Sequence, residues 1–171
     1  NNTIAKQRGG VKREALEQVL GGQLPLPEQM SSGEPAHRAA VEQFIHHMQE
    51  LKAAPKAHVA YYREAWTSRH DNTVRVTVDR QTRIEVEPKA HLVTQMRDPH
   101  YVFGDNTVLE LKFTNRFPDW FRELVRIFGR VQCGAAKYVD GVTVLGERSV
   151  REGLDSSGWP IALSMENAAV Q

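Results

Sequence analysis

The chain has 171 residues, 40% of them hydrophobic, which suits one domain with a sizeable core and excludes disorder over most of its length. Lys and Arg number 22 against 21 Asp and Glu, a net charge of +1, so no global field draws the chain to nucleic acid or anionic lipid, and any polyanion site must be a local concentration of charge. One cysteine, Cys133, excludes an internal disulfide framework and fits a reducing, cytoplasmic setting; the sequence has no secretory signal and no apolar run approaching about 18 residues.

In chain order, period-two alternation in T-I-A-K-Q-R-G predicts a strand with Ile4, Lys6 and Arg8 on one face, ended by Gly9-Gly10. Val11, Ala15, Leu16, Val19 and Leu20 then recur at helical spacing before a Gly21-Gly22 stop. A loop leads to the strongest helix signal, with Pro35 in its first turn and a stripe of Val41, Phe44, Ile45, Met48 and Leu51. From Pro55 the character changes to strands: A-H-V-A-Y-Y-R-E-A-W-T-S-R, a turn at His70-Asp71-Asn72, then T-V-R-V-T-V-D-R, which together read as a hairpin. A short R-I-E-V-E-P run, a looser stretch and V-L-E-L-K-F follow. F-P-D-W-F-R-E-L-V-R-I-F-G predicts a helix with Phe121, Leu124, Val125 and Phe128 packed inward and Gly129 at its end. V-Q-C-G-A-A-K-Y-V-D-G-V reads as the last core strand, with Cys133 a buried thiol, and residues 146–171 read as a tail. The opening N-N-T-I-A-K-Q-R already reads as mid-strand, so the sequence reading treats the chain as an N-terminally truncated fragment.

The charges on these strands share faces. Alternation sets Arg63 with Val59, Tyr61 and Ala65; Arg75 with Thr77 and Asp79; and Glu110 with Lys112, away from Leu109, Leu111 and Phe113. An ordinary half-solvated antiparallel sheet accounts for such a pattern. Against that reading, Arg63, Arg75 and Glu110 stand in short strands between large apolar residues, and arginine offers a planar fork matched to phosphate oxygens. A lone carboxylate among cations then finds its reason in a hard divalent cation that bridges phosphates. Asp79 reads as the brace of an arginine or a turn cap ahead of a metal ligand, and Tyr61 as a support for Arg63. The seven histidines are scattered, or adjacent as His46-His47, and lack the spacing of a shared metal face.

Tyr61-x-Arg63-x-Ala65-Trp66, V-R-V-T-V-D-R, V-L-E-L-K-F, the F-P-x-W helix and A-K-Y-V-D-G-V occur in the order and spacing of the vacuolar transporter chaperone (VTC) type polyphosphate polymerase domain, which the chain resembles over about residues 1–142. That family belongs to the CYTH-like triphosphate tunnel metalloenzymes. The resemblance implies an α+β fold, an antiparallel β tunnel with helices packed outside, over residues 1–145. It implies transfer of the γ-phosphate of ATP to a growing polyphosphate chain, with Mn2+ or Mg2+ as cofactor. Carried over, Arg63, Arg75, Lys112 and Lys137 look like phosphate-holding cations, Lys6 and Arg8 like the basic pair of an earlier strand, and Glu110 like the metal carboxylate. Arg63, Arg75 and Lys112 are the residues expected to act in catalysis. The expected partners are ATP and polyphosphate, with no nucleic acid; a membrane-protein partner, and so a place at the cytoplasmic face of a membrane, is left open. In this chain Ala136 replaces the serine of the family's usual S-K-Y, and the family's first strands would lie before Asn1. The competing readings are a metal-dependent triphosphate hydrolase of the same superfamily and a non-catalytic module that binds polyphosphate or nucleic acid.

Overall fold

The computed structural model of the chain describes residues 6–69, 73–114, 116–129 and 132–161. The chain divides into two compact units, Asn1–Ala54 and Pro55–Gln171, with the break inside the span that the sequence reading treats as one domain.

The first unit is helical. A turn of 3-10 helix at Arg13–Ala15 runs into α1, Leu16–Leu20, and a longer helix, α2, spans Pro35–Glu50. Proline at the first position of α2 suits a site whose N–H has no intrahelical partner. Val19, Met30, Val41 and Ile45 form the core, with Val11 packed against it and bridged to Met30. The buried face of α2 is Ala40, Val41, Ile45 and Met48, whereas Phe44 and Leu51 are 50% and 78% exposed. Val41, Ile45 and Met48 of the expected stripe are thus buried, Ala40 joins them, and Phe44 and Leu51 lie outside the buried arc. The strand expected around Lys6 and Arg8 falls partly on residues 1–5, outside the described set; Lys6 and Arg8 themselves are exposed and in no regular structure.

The second unit is an antiparallel sheet with helices, the α+β class expected. Its strands are β1, Ala57–Thr67; β2, Val74–Val86; β3, His100–Tyr101; and β4, Val108–Phe113. Long β2 is the centre, paired with β1 on one side and with β4 and β3 on the other. Among the described residues the ladder does not close: β1 and β4 each pair with β2 alone. The two runs read separately as T-V-R-V-T-V-D-R and R-I-E-V-E-P are one strand, interrupted by a bulge. Between the pairs Tyr62↔Arg80 and Ala60↔Arg83, β2 carries one extra residue, and Gln81 there takes φ +50°. An extra residue shifts the alternation by one, so Asp79 and Ile84, five apart, lie on the same face.

Among the described residues, three helices accompany the sheet: α3, Asp119–Ile127; α4, Lys137–Leu145; and α5, Glu147–Glu152. In α3 only Phe121 is fully buried, edge-on to Phe117, Trp120 and Phe113; Phe128, expected inside, is 60% exposed. Two other expectations are corrected. The segment read as a last core strand forms α4 from Lys137 onward, and Cys133, expected buried, is exposed in the loop ahead of it. The cause lies in tertiary packing: Gly141 seats the helix so closely on β2 that an added Cβ would stand 2.5 Å from Ile84 Cδ1. The tail reading from residue 146 meets a folded α5 with Val150 buried, and an antiparallel bridge between Leu154 and Pro160.

Candidate functional site

The register of the sheet builds the site. Opposite Arg63 on β1 lies Asp79 on β2; the next row on that face is Ala65, Thr77 and Glu110; the next is Thr67, Arg75 and Lys112. Arg63, Arg75, Glu110 and Lys112, singled out by alternation, thus stand on one face of three neighbouring strands. Lys137 joins them from outside the sheet, as the first residue of α4. Lys137 and Gly141 are one turn apart on the helix, so the contact that presses Gly141 onto Ile84 also aims Lys137 at the sheet.

The centre is Asp79, wholly buried. Arg63 donates to it through both fork nitrogens, Nε to Oδ1 at 2.6 Å and Nη2 to Oδ2 at 2.7 Å, and Lys137 Nζ lies 2.8 Å from Oδ2. The ring of Tyr61 lies beneath both cations, 4.9 Å from Arg63 Cζ and 5.3 Å from Lys137 Nζ. Charge-assisted hydrogen bonds hold the Asp79 carboxylate, and the face of the Tyr61 ring attracts the two cations that lie over it. The Arg63 fork accordingly holds the Asp79 carboxyl below its usual range, with Lys137 adding to the effect against the cost of burial.

Glu110 is a second, more open centre. Lys112 Nζ stands 3.0 Å from Oε1; the buried Thr77 hydroxyl donates to Oε2 at 3.3 Å, and Arg63 Nη2 lies 3.7 Å from the same oxygen. The Lys112 contact lowers the pKa of Glu110, desolvation opposes it, and Thr77 assists. Arg75 differs from the other cations. It is exposed, lies directly across from Lys112, and has no acidic partner among the described residues. Like charges facing each other across strands are unfavourable, and an anion between them removes that repulsion.

The sequence reading did not anticipate that Thr77 contacts Glu110, although its place between Arg75 and Asp79 on the same face was legible. Lys6 and Arg8 belong to the first unit, Asn1–Ala54. Among the described residues no three His, Cys, Asp or Glu side chains converge to hold a metal. Asp79 has both oxygens committed to cations. Glu110, 36% exposed along its side chain, fits a hard cation in one form: a single carboxylate sharing Mg2+ or Mn2+ with water and phosphate oxygens.

A family model, the VTC domain, matches residues 1–146. The chain belongs to the VTC domain family. This family is linked to polyphosphate synthesis. No curated protein sequence matches the chain. No helix among the described residues of this VTC domain is long and apolar enough to cross a membrane.

Proposed function

We propose that this VTC domain holds ATP and polyphosphate against the charged face of its sheet and catalyses transfer of the γ-phosphate to the polymer end. The observation that carries this reading is the convergence of Arg63, Arg75, Lys112 and Lys137 on one face with a single open carboxylate, Glu110. Those four cations exceed the two acids of the face, Asp79 and Glu110, by two charges. The surplus suits a polyanion.

Phosphoryl transfer asks a protein for position and charge neutralisation more than for covalent chemistry. The attacking group is itself an anionic phosphate, so like-charge repulsion is the chief obstacle. Arg63 and Lys137, held by Asp79 and Tyr61, supply donors whose directions are set before substrate arrives, which reduces reorganisation during the reaction. Arg75 and Lys112, more exposed, provide a second anchorage two rows along the strands, about 13 Å from the Asp79 row at the rise of a β-strand. An extended phosphate chain can meet both anchorages at once. Glu110 would hold the divalent cation, which when bound neutralises phosphate charge.

Incubating the complete protein with ATP and Mn2+ and separating the products on a gel tests the proposal. A ladder of lengthening polyphosphate is expected. Orthophosphate alone would replace polymerase by the hydrolase reading, which uses the same face. The nucleic-acid reading would favour aromatic rings free to stack beside the cations. Tyr61 already lies under Arg63 and Lys137, while Tyr62 and Trp66 alternate onto the opposite face.

A further inference from the structure

The second unit also contains a cavity of about 810 Å³ where the end of β2 meets the loop of residues 87–98, the C-terminal half of α4 and the chain after α5. That volume lies in the range of sites for small organic ligands. Apolar side chains make much of its wall: Val86, Val93, Val144, Leu145, Leu154 and Ile161. Two of them remain openly solvated, Val93 at 49% and Val144 at 46% exposure, so an apolar body entering the cavity would cover surface that the fold leaves wet.

The polar groups of the wall fall into two classes. The carboxylates are engaged in folding their own loops. Glu85 accepts the Arg97 and Asp98 amides at 2.7 and 3.1 Å and meets His58 at 3.3 Å. Glu87 accepts the Lys89 amide at 2.8 Å and meets His91 at 3.2 Å. Asp98 accepts the Ser156 amide at 3.0 Å, and Asp155 accepts the Ser157 and Trp159 amides and the Ser157 hydroxyl. The side chains of Lys89 and Arg97 are the contrary case: both line the cavity, and neither has a hydrogen bond or ion pair from its charged group among the described residues. An ammonium and a guanidinium together present eight N–H donors.

We infer that this cavity is a binding site for a small organic anion with an apolar body, its head group held by Lys89 and Arg97 and its body lying on Val93, Val144 and Leu154. Each of the four carboxylates receives at least one N–H donor through one oxygen, and Glu85 and Glu87 also face His58 and His91, whereas the two cations bring donor sets without acceptors. The site is separate from the charged face of the sheet and does not depend on the function proposed for that face.

Sodium octanoate, octylamine and 1-octanol serve as probes, titrated into isotopically labelled full-length protein while backbone amide shifts are followed. Octanoate is expected to give saturable shifts at residues 86–98 and 144–161, with the alcohol and the amine each about tenfold weaker or more, as loss of a charge-assisted contact implies. The double variant Lys89→Ala/Arg97→Ala should weaken octanoate by a similar factor and leave the amide spectrum elsewhere unchanged. Val93→Asp, on an exposed loop, should weaken it independently of that pair. Tighter binding of the amine, equal affinity in the double variant, or no saturable shifts up to millimolar octanoate would each overturn the inference. Sedimentation with anionic phospholipid vesicles without octanoate shifts in the cavity would also overturn it, since the headgroup would then be read elsewhere.

Discussion

The two faces of the β1–β2–β4 sheet invert the usual arrangement. On one, Thr77 and Asp79 are 1% and 0% exposed, with Arg63, Lys137 and Glu110 bound around them. On the other, Trp66, Leu109 and Phe113 are 52%, 40% and 43% exposed. In an ordinary antiparallel sheet the polar face meets water and the apolar face the core. Here the charged face is the better buried in its middle rows. Burying charges is costly unless each is paired and hydrogen-bonded, and Asp79 meets that condition with contacts to two cations. The inversion distinguishes a built charged site from a solvated surface, a distinction that alternation in the sequence could not draw.

The largest effect that would break this comparison is at Asp79. Replacing it by Ala leaves Arg63 and Lys137 partly buried without their acid, and a loss of about 3–5 kcal/mol is expected in chemical denaturation. Removing Glu64, whose pairing with Arg80 is on the other face and half exposed, should cost at most about 1 kcal/mol. Equal losses would mean that the two faces are energetically alike.

Next is Gly141→Ala. The new methyl would meet Ile84 within van der Waals contact, and overpacking of this kind costs about 1–3 kcal/mol. Because α4 also carries Lys137, the same variant should weaken tripolyphosphate binding, read by calorimetry.

A pH series gives a smaller effect of defined sign. Both Asp79 and Glu110 have carboxyl pKa values lowered in the folded state, the first mainly by Arg63 and the second mainly by Lys112. Their contribution to stability is fully present above the unfolded carboxyl value of about 4 and is lost as pH falls through the lower folded value. Unfolding free energy should therefore decline below about pH 4, and the decline should be shallower in Asp79→Asn.

The smallest change in stability is expected for Glu110→Gln, which stays within about 1 kcal/mol of the parent because the side chain is partly exposed. It should nevertheless abolish metal-dependent turnover. Mn2+ binding in the presence of tripolyphosphate, followed by electron paramagnetic resonance, should weaken in parallel.

Much of this site was legible in the sequence because a strand has a fixed period. Arg63, Arg75, Glu110 and Lys112 could be assigned to faces from alternation alone, and the VTC resemblance on five motifs agrees with the family match. Lys137 was identified, but on the wrong element. Its segment contains Val139, Val142, Thr143 and Val144, residues that favour strands, and the helix owes its place to Gly141 meeting Ile84, a contact 57 positions apart in sequence that no local pattern encodes. The bulge in β2 was hidden for a related reason: its positive-φ position is Gln81, where glycine would have announced it. The hydrophobic stripes of α2 and α3 were read too widely, since a helix buries only the arc that its neighbours cover; Phe44, Leu51 and Phe128 fall outside that arc. Which face of the sheet is buried required the register and α4 together.

The most direct test of the central claim is a calorimetric titration of tripolyphosphate into the parent protein, Arg75→Ala and Arg63→Ala. Arg75 has no ion pair to lose among the described residues, so its removal reports on the ligand with little change in folding. Each variant is expected to bind about tenfold to a hundredfold more weakly than the parent, the equivalent of one charge-assisted contact. Unchanged affinity in both variants, with folding intact, would contradict the convergence of these cations on a phosphate.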